Sequence, residues 1–164
     1  MTRPPPLPPP HLRDPGDAWV EGPNGKKYWG TFGAAGLLLL HPPLGVLLQL
    51  RAEWSHQGGT WGIPGGALKK GEDAVTAAIR ESQEEAGIPD DAARVIDHSV
   101  YDLGFWSYTT VLAIADAYFE PQITDLESAA LEWVALDDVH HRDLHPAFAQ
   151  SWPDLQSRLR EEHT

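Results

Sequence analysis

Between Gly66 and Ile88 the chain reads GALKKGEDAVTAAIRESQEEAGI, and no other stretch constrains the fold as tightly. Asp73 is a ready N-cap, and Gly87 followed by Pro89 is a stop. The spacing therefore predicts a helix from Ala74 to Ala86. Residues three and four apart share a helix face, which puts Glu81 beside Glu84 and Glu85. Three carboxylates on one stripe repel strongly once water is withdrawn, so the arrangement does not serve helix stability. Such a face is either solvated or holds a hard divalent cation, for which carboxylate oxygens are fitting ligands. Glycines at both ends, and a Gly-rich loop just before, favour the cation. Arg80, one residue before Glu81 and four before Glu84, can pin a carboxylate from behind. On the other side, Ala74, Ala77 and Ala78 are small enough to let the helix lie close on a sheet.

Around this helix, short β-prone runs alternate with turn signals. Ala18 to Gly22 and Lys26 to Phe32 flank Pro23-Asn24-Gly25, and Asn-Gly between strand-like residues predicts a hairpin. Ala34 to Leu40 and Gly45 to Leu50, separated by His41-Pro42-Pro43, predict two apolar strands. Gly58 to Gly66 reads as a loop. Arg94 to Tyr101, Tyr108 to Phe119 and Leu131 to Leu136 are further strand candidates. Near the end, Phe148, Trp152, Leu155 and Leu159 recur at helical spacing, with Pro153 predicting a break or a fresh start. The expected fold is α/β (α+β), a mixed sheet sandwiched between helices. Seven prolines from Pro4 to Pro15 mark residues 1–16 as an extended, disordered lead-in, with the fold expected over residues 17–164.

A chain of 164 residues is one ordinary domain. Its 24 acidic residues face 12 basic ones, and a net charge of −12 argues against binding nucleic acid by bulk electrostatics. A small anionic substrate is compatible, provided divalent cations offset the repulsion. With no cysteine, neither a disulfide framework nor a thiolate metal site is available. No apolar stretch approaches membrane-crossing length, and Pro and Arg occupy the positions of a signal-peptide core, so the expected location is cytoplasmic.

The string from Gly66 to Ile88 resembles the Nudix box, G-x5-E-x7-R-E-U-x-E-E-x-G-U with U apolar. Gly66, Glu72, Arg80, Glu81, Glu84, Glu85 and Gly87 fill all its fixed letters. At average composition, that match arises by chance on the order of once in a million chains of this length. Ser82 departs from the pattern, which prefers an aliphatic residue, and a small packing adjustment is expected there. The resemblance implies a Nudix-type α/β/α sandwich with the box helix on one side and a C-terminal helix. It also implies Mg2+ or Mn2+ held by the carbonyl of Gly65 and by Glu81, Glu84 and Glu85. Arg80, with these glutamates, makes up the catalytic set. Glu72 takes a supporting role, as loop anchor or behind the ligands; without the family it is a favourable charge at the helix start. The proton acceptor is either a box glutamate, Glu81 being the candidate, or one from a later loop, where Glu127 and Glu132 are the candidates. Glu127 is also the candidate for an additional metal ligand.

Nudix enzymes hydrolyse a nucleoside diphosphate linked to another group. Arg51 ends a stretch, Val46 to Ala52, similar to the strand before the glycine loop in MutT-type members; it reads as a phosphate ligand or as a surface arginine at a strand end. Signatures of ADP-ribose, coenzyme A and NADH specificity are absent or only partly met. By elimination the expected substrate is a nucleoside triphosphate, cleaved to monophosphate and pyrophosphate. The alternatives are an ADP-ribose, nucleotide-sugar or dinucleotide pyrophosphatase, and a catalytically silent ligand sensor. The partner is a nucleotide-like small molecule, and a homodimer is the family's frequent assembly. Trp54, Trp61, Trp106 and Tyr108 are candidate base platforms or packing residues, with at most one expected as a platform. His140, His141 and His145 match no standard zinc spacing and read as an exposed loop.

Overall fold

The computed structural model describes residues 14–163. Most of the Pro-rich lead-in lies outside the described residues. Asp14 to Gly16 are already tied to the fold: Asp14 Oδ1 accepts from the amide N–H groups of Gly16 and Lys70, and Gly16 is buried.

An antiparallel hairpin, β1 (Trp19–Glu21) and β2 (Lys27–Trp29), precedes the main sheet. The sheet is built from β3 (Ala34–His41), β4 (Gly45–Arg51), β5 (Trp61–Gly62), β6 (Gly65–Ala67), β7 (Arg94–Asp102), β8 (Ser107–Ile114) and β9 (Ser128–Val134). Its spatial order is β5-β4-β3-β8-β7, with β6 also on β3 and β9 also on β4. All pairs are antiparallel except β3 with β8, so the sheet is mixed. Leu37 to Leu40 are all buried because both faces of β3 are covered. Leu37 and Leu39 point to helix α1 (Ala74–Ala86), and Leu38 and Leu40 point to helix α2 (Pro146–His163).

Helix α1 begins and ends where the sequence places it. Asp73 accepts from the Thr76 N–H at 2.8 Å, and Gly87 adopts φ 64° with its N–H on the Gln83 carbonyl. Ala77, Ala78 and Ala86 are fully buried against Ala35, Val111, Ala113 and Ala115. Small side chains on both partners let the helix approach the sheet closely. Ser82 is fully buried as well, and its hydroxyl donates to the Ile79 carbonyl, which is the packing adjustment at that position.

Three expectations are corrected. The segment Gly58 to Gly66 is not all loop, since β5 and β6 pair within and just beyond it with β4 and β3. Strand β8 stops at Ile114 instead of Phe119. Helix α2 runs unbroken through Pro153. Pro153 and Ala149, whose carbonyl loses its helical donor, are both exposed, so water can serve that carbonyl. Trp152, Leu155 and Leu159 meanwhile keep the helix seated on the sheet. Among the described residues no helix is long and apolar enough to cross a membrane.

Candidate active site

The chemistry of α1 is set by the glycines it faces. Glu85 is 2 % exposed, and its Oε2 accepts from the Gly65 N–H at 2.8 Å. A Cβ on Gly65 would fall 2.4 Å from the Ala35 carbonyl oxygen, and one on Gly66 would fall 2.5 Å from the Glu81 carboxyl carbon. Gly65 is therefore required by its close approach to a strand backbone, whereas a side chain at Gly66 would have to displace the Glu81 carboxylate.

Arg80 ties the box together. Its Nε and Nη2 each lie 2.9 Å from a Glu72 oxygen, Nη1 donates to Glu81 at 2.9 Å and Nη2 reaches the Ala67 carbonyl. Glu84 lies 3.4 Å from the same guanidinium and is exposed. The hydrogen bonds from Arg80 hold the Glu72 carboxyl below its ordinary pKa and raise that of the guanidinium itself. Glu72 also accepts from the Lys69 N–H, so it anchors both the loop and Arg80.

Burial acts the other way on Glu81 and Glu85. It pushes Glu81 up to about 7, against the opposing pull of Arg80. Glu85 is raised well above the usual range, first by burial and then by the charges of Glu81, Glu127 and Asp125. Carboxylate oxygens of Glu85, Asp125 and Glu127 lie within 4.8 Å of one another. Asp125 is itself raised, mainly by burial. A cluster of oxygen donors that runs from buried Glu85 to exposed Glu127 fits a hard divalent ion such as Mg2+ or Mn2+.

The segment carrying Asp125 and Glu127 docks on the C-terminal end of α1. The Thr124 hydroxyl donates to the Glu84 carbonyl, and the Gln122 N–H donates to the Ala86 carbonyl at 2.9 Å. These bonds satisfy carbonyls left over at the helix end and bring the loop acids to Glu85. Glu127, the sequence candidate for an additional ligand, thus lies beside Glu85 and Asp125. Glu132 does not: it lies on β9 and pairs with Arg142. Asp125 is absent from the sequence reading, because its position depends on a fold-back that leaves no periodic signal.

Arg51 stands at the end of β4, its Nε donating to the His56 carbonyl at 2.8 Å. Every other described arginine forms an ion pair; Arg51 forms none among the described residues. The half-buried Tyr108 has its hydroxyl against Gly36 and within reach of the charges of Glu85 and Arg51; burial of the hydroxyl raises its pKa. Among the other aromatic candidates, Trp106 donates to the Trp29 carbonyl and stacks on Tyr28, so it packs the hairpin. Trp61 packs on the α2-side core, and Arg142 lies over its ring. His140 and His141 are exposed in a short 3-10 turn, as expected, but His145 is half-buried beside His56 and Arg51.

A model of the NUDIX domain matches residues 31–155. The chain is 47 % identical over 156 residues to a putative 8-oxo-dGTP diphosphatase 3 of Mycobacterium tuberculosis, covering 89 % of this chain and 71 % of that one. It is 44 % identical over 159 residues to a nucleoside triphosphate pyrophosphatase/Nudix hydrolase fusion protein of Bifidobacterium longum, covering 92 % of this chain and only 33 % of the fusion. The crystal structure of the M. smegmatis Nudix hydrolase RenU superposes with a TM-score of 0.81 at 43 % identity, covering 89 % of this chain and 96 % of that one.

Proposed function

This chain is a MutT-like member of the Nudix family of pyrophosphohydrolases, and from that premise we propose that it hydrolyses purine nucleoside triphosphates of the 8-oxo-dGTP class to monophosphate and pyrophosphate, with Mg2+ or Mn2+ as cofactor. The observation that carries this reading is the carboxylate cluster of buried Glu85, half-buried Asp125 and exposed Glu127 at the helix end that also carries Glu81 and Glu84. The substrate class is supported by the 47 % identity to the M. tuberculosis putative 8-oxo-dGTP diphosphatase 3. A cytoplasmic location accompanies the reading.

In this reading Glu85, Asp125, Glu127 and Glu84 hold the cations together with the Gly65 carbonyl. When bound, the metal neutralises charge on phosphate oxygens and acidifies water. Arg80 keeps Glu81 oriented through a 2.9 Å hydrogen bond. Glu81, with a pKa of about 7, is matched to take a proton from the attacking water near neutral pH. Glu72 fixes Arg80 by a bidentate pair, so the orienting group is itself immobilised. Among the described residues the guanidinium of Arg51 pairs with no carboxylate, and it takes a phosphate of the substrate.

The test is a panel of 8-oxo-dGTP, dGTP, dATP, ADP-ribose, NADH and a dinucleoside tetraphosphate with Mg2+, the products resolved by phosphorus NMR. The expected result is fastest turnover of 8-oxo-dGTP, giving 8-oxo-dGMP and pyrophosphate without orthophosphate. Preferential cleavage of ADP-ribose or a dinucleotide, or release of orthophosphate, contradicts it.

A further inference from the structure

His145 sits where the turn before α2 is stitched to β5. The Trp61 N–H donates to the Asp143 carbonyl, and the His145 N–H donates to the Trp61 carbonyl, both at 2.8 Å. The His145 ring then accepts, through Nδ1, the Ala147 N–H at 3.1 Å. The ring therefore acts as a cap for the first turn of α2, and the accepting role fixes its tautomer: with Nδ1 as acceptor, the ring proton is on Nε2. Burial, with Arg51 and His56 nearby, pushes its pKa down to about 4, so near neutral pH it is an uncharged donor.

Contacts around the site give an order. Arg51 donates through Nε to the carbonyl of His56, whose ring packs beside that of His145. A nucleotide with its phosphates at the acidic cluster and Arg51 thus has its nucleoside end directed to His145. The surroundings there suit a flat ring more than a phosphate: the His56 ring lies 6.4 Å from that of His145, and Trp19 lies edge-on to His56 at 6.3 Å. A neutral N–H adds little to the binding of a polyanion but matches the neutral carbonyl oxygen of a base.

Resting on the nucleotide reading above, we propose that His145 is a specificity residue whose Nε2–H donates to a carbonyl oxygen of the substrate base, selecting guanine-type over adenine-type nucleotides. A base with an amino group at that point offers no acceptor, leaves the half-buried Nε2–H without a partner and binds more weakly.

Two substitutions separate the ligand role from the capping role. His145→Asn keeps an oxygen at the Nδ1 position, and so the cap, but its amide nitrogen stops short of Nε2. His145→Gln reaches the Nε2 position with its amide nitrogen and loses the cap. Dissociation constants of dGMP and dAMP are measured by calorimetry beside Tm, with kcat/KM for dGTP and dATP in Mg2+. The expected result for His145→Asn is an unchanged Tm, dGMP binding weakened about tenfold and dAMP binding unchanged. For His145→Gln it is a lower Tm with the guanine preference kept. If His145→Asn keeps the preference, or weakens both nucleotides alike, His145 does not read the base, whatever the enzyme's turnover. If the wild-type chain neither binds nor cleaves any nucleotide, the nucleotide reading falls and this inference with it.

Discussion

Helix α1 meets the sheet through Ala77, Ala78 and Ala86, whereas α2 meets it through Phe148, Trp152, Leu155 and Leu159. The alanine face brings a backbone close enough for Glu85 to reach the Gly65 N–H and for the Glu81 carboxyl to rest on Gly66. The bulky face fills volume and places little chemistry at the sheet beyond the turn that carries His145. One side of the sheet is packed for proximity and the other for burial. The difference predicts that damage to the two sides is read by different instruments.

On the bulky side, Leu155→Ala empties a fully buried site at 1 % exposure. It is expected to cost about 2–5 kcal/mol of stability in denaturant unfolding, with kcat of the folded fraction near wild type. On the close side, Gly66→Ala displaces the Glu81 carboxylate by its new methyl group. Because the obstructed atoms end a flexible side chain, stability should fall little, while kcat falls about a hundredfold from misplacement of the reacting groups. Equal loss of activity in both variants would erase the distinction.

The two sides also respond oppositely to pH. Glu81 titrates at about 7 in the fold against 4.5 unfolded, and Glu85 shifts in the same sense. The metal-free fold therefore holds extra protons, and their stabilising contribution is lost as pH rises from 4.5 through 7. His145, at about 4 against 6.5, contributes stability above 6.5 that is lost as pH falls to 4. The increment in Tm on adding Mg2+ to chelator-treated protein cancels the His145 contribution. It should be larger at pH 8 than at pH 5, because the cation then binds carboxylates already ionised. An increment independent of pH would mean that the ion binds elsewhere. The smallest effect is expected at Ser82→Ala, which removes a hydroxyl bonded only to its own helix: about 1 kcal/mol or less by thermal unfolding, with activity retained.

The close side was largely legible in the sequence, because its instructions are local. Asp73, the box letters and Gly87 act within their own helix or on the glycine turn just before it. What escaped depends on the chain returning from a distance. Asp125 reaches Glu85 only because Gln122 and Thr124 bond to the carbonyls at the end of α1. The parallel pairing of β3 with β8 joins segments about seventy residues apart and leaves no local pattern. Pro153 misled for the reverse reason: a strong local breaker was overridden by the apolar stripe that seats α2 on the sheet. His145, read with two neighbours as exposed loop, was separated from them by the pairing of its backbone with Trp61.

The central claim is that the buried acids of α1 hold the cation that works on the phosphate chain. Glu85→Gln tests it most directly, since it keeps the side chain's shape and a carbonyl acceptor for the Gly65 N–H while removing the charge at the centre of the cluster. Hydrolysis of 8-oxo-dGTP is measured across a Mg2+ titration for both proteins, with folding checked by thermal unfolding. The account predicts metal-dependent turnover in the wild type and a loss of at least about a thousandfold in a folded variant that added Mg2+ does not restore. Wild-type turnover in the Glu85→Gln protein, or turnover unaffected by chelation, would contradict it.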